Sequence, residues 1–95
     1  MIVGSLELHL RIDGAFSLKE KRRVLRSILD KARNDFHVAA SEVADHDLWN
    51  SAVLGFACVS NDAAHAESVL SSLVDMVEGR PDVEVEAAIQ EIERR

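Results

Sequence analysis

Residues 2–12 alternate. Ile2, Leu6, Leu8, Leu10 and Ile12 fall on one side of an extended chain, and Val3, Ser5, Glu7, His9 and Arg11 on the other. A period of two over this length predicts a half-buried strand, and Asp13-Gly14 ends it. The period then changes. Leu18, Leu25, Ile28, Leu29 and Ala32 recur at helical spacing to about residue 34. Ser17-Leu18-Lys19-Glu20 opens that helix as a capping box: the Ser17 hydroxyl accepts the amide of Glu20, and Glu20 reaches back to the Ser17 amide. Leu18 and Leu25 face the core, which sets Arg22 near its edge.

Residues 36–43 read as a second strand, Asp45-His46-Asp47 as a polar turn and residues 50–60 as a third strand. The third is apolar on both faces, with Ala52, Leu54, Phe56 and Cys58 on one and Val53, Gly55, Ala57 and Val59 on the other. Such a strand is central or covered. Ser60-Asn61-Asp62 starts a second helix with a side-chain cap and an acid in its first turn. Val69, Leu70, Leu73, Val74 and Val77 form its stripe, and Gly79 and Pro81 stop it. Residues 82–90 close the pattern as a fourth strand, Val83, Val85, Ala87 and Ile89 alternating with Glu84, Glu86, Ala88 and Gln90.

The order β-α-β-β-α-β predicts an α+β, ferredoxin-like sandwich: a four-stranded antiparallel sheet in the order 4-1-3-2 with both helices on one face. Residues 1–95 read as one domain, without linker or repeat. That topology brings the start of the first helix and the turn between the second and third strands to the same end of the sheet. Lys19 to Arg23 and Asp45 to Trp49 are therefore expected to be neighbours.

Composition narrows the field. A chain 47% hydrophobic and 29% charged is globular rather than disordered. No apolar run approaches the roughly 20 residues of a membrane span, so no membrane partner is expected. The single cysteine, Cys58, lies inside an apolar run and reads as a small core hydrophobe. The N-terminal residues from Met1-Ile2-Val3 onward have no basic n-region, so no signal peptide is expected and the cytoplasm is the expected location.

Net charge is −6, a poor balance for general nucleic-acid binding. Its distribution changes the picture. Between Ser17 and Arg33 stand Lys19, Lys21, Arg22, Arg23, Arg26, Lys31 and Arg33 against Glu20 and Asp30 alone. A helix N-terminus carries about half a positive charge and favours acids, yet this one collects cations. A local rule broken in this way marks a candidate functional site. Lys19, Lys21, Arg22, Arg23 and Arg26 are the candidate anion- or RNA-binding residues. The competing reading is structural: Arg22 lays its stem along the core's edge, or Asp45 and Asp47 pair with the cations.

Ser17-Leu18-Lys19-Glu20-Lys21-Arg22-Arg23-Val24-Leu25 and Ser41-Glu42-Val43-Ala44-Asp45-His46-Asp47-Leu48-Trp49, with Leu54-Gly55 and Val59-Ser60-Asn61-Asp62, resemble the YlxP-like family of small bacterial proteins. The resemblance covers nearly the whole chain and implies a ferredoxin-like fold. It implies no activity, since the family is a domain of unknown function. Its genes commonly lie among translation genes, beside those for an initiation factor and a ribosome-binding factor, which implies RNA or the ribosome as a partner by association only. The chain departs from the family at His37, where an Asn is common, and in its acidic C-terminal strand.

Other chemistry is weaker. His37, His46 and His65 match no metal-ligand spacing, and neither a metal nor a small-molecule cofactor is expected. Trp49, the only tryptophan, reads as an anchor packing its turn onto the domain. The sheet face away from the helices has no aromatic on its central strands, so it lacks the base-stacking surface of RNA-binding sheets. Its small apolar residues Val53, Gly55, Ala57 and Val59 suit a protein, and a homodimer is expected there. Acylphosphatase, an enzyme of this size and arrangement, needs an Arg at the end of its Gly-rich loop. Here Gly14-Ala15-Phe16 is followed by Ser17 and Leu18. No nucleophile–base pair is visible either. The sequence therefore favours a non-enzymatic module binding RNA through its first helix. The alternatives are a protein-binding or homodimeric adaptor and, more weakly, a small phosphoester or anion-binding enzyme.

Overall fold

Eleven residues of unbroken alternation make the first strand, β1 (Ile2–Ile12), and its length sets the span of the sheet. The computed structural model describes residues 1–95. After β1 come α1 (Leu18–Phe36), β2 (Ala39–Ala44), β3 (Ser51–Ser60), α2 (Ala63–Glu78) and β4 (Val83–Arg94). The strands form one antiparallel sheet in the order β2-β3-β1-β4, the expected 4-1-3-2 read from the other edge. Both helices cover the same face. Leu6, Leu8 and Leu10 of β1 and Leu54 and Phe56 of β3 share one core with Leu25, Ile28 and Ala32 of α1 and Leu70, Leu73 and Val77 of α2.

Three boundaries differ from those the alternation suggests. Residues 36–38 leave the second strand. Phe36 lies four residues after Ala32 on the same helical stripe and packs against the core, so α1 continues through it. His37 then takes a left-handed conformation, with φ 55°, and ends the helix. Gly, and after it Asn, suit that left-handed position best, and this chain places His37 there. At the second helix, Asp62 is itself the N-cap. Its side chain accepts the Ala64 amide at 3.0 Å, and the first turn holds no acid.

β4 is both longer and differently faced than expected. It pairs with the whole of β1, from Ile12 opposite Val83 to Ile2 opposite Arg94. A bulge between His9 and Leu10 of β1 skips one residue of β4, so His9 faces Ala87 while Leu10 faces Val85. Because side chains alternate with period two, a one-residue shift changes the face of everything beyond it. Val83 and Val85 stay on the helix side, and Ala87 and Ile89 turn to the open side. Ile89 is exposed there.

Candidate functional site

The site is built at the start of α1. Ser17 has extended backbone, and its hydroxyl accepts the Glu20 amide at 3.2 Å. Glu20 returns the bond one residue earlier than a standard capping box: its carboxylate accepts the Phe16 amide at 2.6 Å. The helix start is thus partly satisfied by its own side chains. What remains distinctive is the cations.

Of the five predicted site residues, Lys21 must be withdrawn as a phosphate ligand. It points inward with Leu25, Ile28 and Ala32 and is 1% exposed. Its ammonium donates to the carbonyl oxygens of Asp45 (2.6 Å) and Leu48 (2.5 Å) and pairs with Glu42 at 2.9 Å. Of the three donors of an ammonium, two go to these carbonyls, and the Glu42 carboxylate balances the charge at ion-pair distance without hydrogen-bond geometry. Burial of a charge requires this, because an unpaired ammonium in the interior would be strongly destabilising. Helical spacing allows either residue 21 or residue 22 to extend the stripe from Leu18 to Leu25. The turn after β2 offers carbonyls to residue 21, so Lys21 takes the inward position and Arg22 is exposed. The predicted meeting of helix start and turn is therefore real, but Lys21 makes it. The acid in the contact is Glu42 rather than Asp45 or Asp47. Asp45 contributes its carbonyl in a left-handed conformation, with φ 62°, while its carboxylate accepts the Ser51 hydroxyl.

The other four predicted residues converge. Lys19, Arg22, Arg23 and Arg26 are all exposed and alone line an open cleft of about 350 Å³. None has a hydrogen-bonded or carboxylate partner. Elsewhere the cations are paired: Lys31 with Asp35, Arg33 with Asp30, Arg80 with Asp82, Arg95 with Glu93, and Arg11 with Asp13 and Glu84. The Asp13 hydrogen bond and the Glu84 charge hold the Arg11 guanidinium above its usual range. Apart from the four cleft residues, only Arg94 lacks such a partner. Along α1 the four stand three or four residues apart, the spacing at which like charges repel.

The same end of the molecule carries exposed apolar surface. Trp49 does not bury itself as an anchor. It is 43% exposed, and its ring lies 6.1 Å from that of Phe16, tilted by 35°. Phe16 is 78% exposed, and Leu48 beside Trp49 is exposed too. Phe16 was not singled out from the sequence, although a signal exists. It precedes the cap, where an apolar residue usually packs on the fourth helical residue. Here that residue is Lys21, which faces the turn, so Phe16 lacks its usual partner within the helix.

The open sheet face is less uniform than its sequence suggests. Val53 is buried, Gly55 and Ala57 are half-buried, and Val59 is 70% exposed. Val43 and Ile89 join it from β2 and β4. Gly55 is required there, because a Cβ at that position would lie 2.9 Å from Val43 Cγ1. Ser5, Glu7, Ala39, Gly55, Ala57 and Ile89 are among the residues lining a shallow trough across this face. His37 and His65 share a separate cleft with Cys58 and Asp35, whereas His46 sits on the Glu42 carbonyl at the turn. No three His, Cys, Asp or Glu side chains are grouped to hold a metal ion.

Comparison with known proteins agrees with this architecture. Residues 3–89 match the family described as protein of unknown function (DUF503). An uncharacterised protein, YlxP of Bacillus subtilis (strain 168), is 35% identical over 83 residues, covering 87% of this chain and 90% of its own. Among solved structures, the structured domain of Drosophila melanogaster Boca superposes with a TM-score of 0.51 at 16% identity, covering 96% of this chain and 97% of that one. At that identity the likeness concerns the fold alone.

Proposed function

Since the chain belongs to the DUF503 family of proteins of unknown function, its role has to be read from its own surface, and we propose that it is a non-enzymatic module that binds RNA through the basic cleft of α1. One observation carries this reading. Lys19, Arg22, Arg23 and Arg26 line one exposed cleft without a single acid partner, in a protein of net charge −6 whose other cations are nearly all paired. Keeping four cations together on one helix face works against the helix. A run of phosphates would neutralise them together and release the counterions held by the RNA.

The acidic remainder limits affinity and orients the protein, so that only this end approaches a polyanion. Binding measured by anisotropy with labelled RNA should fall with salt at a log–log slope of roughly −2 to −4, as for three or four neutralised phosphates. Reversal of Lys19, Arg22 and Arg23 to Glu should abolish it while the protein stays folded. A folded triple variant that binds RNA as well as the parent would refute the reading. In cells, crosslinking from α1 should recover RNA, with ribosomal RNA the first candidate.

A second reading concerns the open sheet face, for which we propose a second copy of the chain as the occupant. The bulge in β4 favours it, because it adds Ile89 to the exposed Val43 and Val59 on this face, on the far side of Ser5 and Glu7 of β1. A C2 contact presents the same patch from both partners, so such a face can meet itself. Sedimentation at micromolar concentration should show two chains for the parent and one for Val59→Glu. A monomeric parent would remove this reading and leave the RNA reading untouched.

A further inference from the structure

We propose that Phe16 and Trp49 form a base-stacking platform beside the basic cleft, and that the RNA bound there is single-stranded. This rests on the phosphate-binding reading of α1 and adds to it the class of RNA. The two aromatic rings, 78% and 43% exposed, neighbour each other with centroids 6.1 Å apart. Rings and cations share one end of α1: Phe16 is one residue before its cap, Lys19 two residues after that cap, and the four cations lie on the outer face of the helix, away from inward-facing Lys21. Flat apolar faces and bare cations at one end of a helix call for a partner that presents planar faces and negative charge together. A single strand does so. A duplex has the charge but keeps its base faces stacked inside, and its sequence-independent contacts go to phosphate and sugar.

The backbone that carries both rings is held before any ligand arrives. Lys21 grips the Leu48 carbonyl, on the residue preceding Trp49, and the Asp45 carbonyl at the start of the same turn. Glu20 holds the amide of Phe16. The turn and the helix start are thus fixed to each other through groups that take no part in binding. Exposed Asp47 stands two residues before Trp49. Its charge repels phosphates from the turn, so the backbone runs along α1 and the bases turn toward the rings. From Lys19 to Arg26 the helix rises about 10 Å, a footprint of a few nucleotides.

Trp49 is the only tryptophan, so its fluorescence reports on the platform directly. The test titrates the full chain with an unstructured RNA of about ten nucleotides and with the same strand in a duplex, following anisotropy of the RNA and emission of Trp49. The single strand should bind more tightly and quench Trp49. Trp49→Ala and Phe16→Ala should each weaken single-strand binding by roughly five- to one-hundredfold while leaving the salt slope unchanged. Trp49→Phe should retain most of the affinity. Circular dichroism confirms folding of each variant. If single strand and duplex bind equally, Trp49 emission stays constant and both alanine variants bind like the parent, the platform is refuted and the phosphate reading stands. If neither RNA binds, the phosphate reading fails first and the platform falls with it.

Discussion

Replacing Lys21 by Met keeps most of the buried stem and removes the charge. The loss can be worked from its three partners. The Glu42 carboxylate loses the ion pair at 2.9 Å, the Leu48 carbonyl loses its lysine donor, and the Asp45 carbonyl keeps only the Leu48 amide at 3.1 Å. Removing one partner of a fully buried pair costs about 3–5 kcal/mol, mostly for the charge left behind. Glu42 retains some contact with water, at 18% side-chain exposure, so a cost of about 2–4 kcal/mol is expected. For a domain of this size, a urea slope near 1 kcal/mol per molar converts that to a midpoint lower by about 2–4 M. Trp49 reports on the turn by fluorescence, and circular dichroism follows the whole fold. Replacing Glu42 by Leu as well should recover much of the loss, because no buried charge is then left unpaired. The cost should change little with salt, since a buried pair is poorly screened. A Lys21→Met protein within about 0.5 kcal/mol of the parent, with unchanged Trp49 emission, would refute the clamp.

Three further outcomes are expected. Lys19→Glu should stabilise the protein by about 0.3–1 kcal/mol in thermal or urea unfolding, because an acid suits the first turn and a like-charge contact is lost; the same change should weaken RNA binding. Asp62→Ala removes the side-chain cap of α2 and should cost about 1 kcal/mol in urea denaturation, with Asp62→Asn nearly neutral. Gly55→Ala should destabilise the junction of β2 and β3 by about 1–3 kcal/mol through collision with Val43, and Val43→Ala in the same chain should restore most of that, as a thermal-melt double-mutant cycle would show.

Much of the architecture was legible from local pattern. The even positions of β1 from Ile2 to Ile12, the stripes of both helices and the breaks at Asp13-Gly14 and Gly79 are set by periodicity and turn chemistry, which act within a few residues. Element order then left few ways to bury those stripes, and the topology followed. The concentration of cations on α1 was equally visible, because charge is a property of composition.

What stayed hidden depended on contacts between distant segments. Residues 21 and 22 can both extend the stripe of α1, and only the carbonyls of Asp45 and Leu48, more than twenty positions away, decided that Lys21 turns inward. The face of Ile89 turned on a bulge one residue long, and period two converts such a slip into a change of side. Phe16 and Trp49 met only when the turn was brought against the helix start. Periodicity assigns a residue to a face; whether that face holds a buried clamp or an open cleft is decided by the neighbour that the tertiary fold supplies.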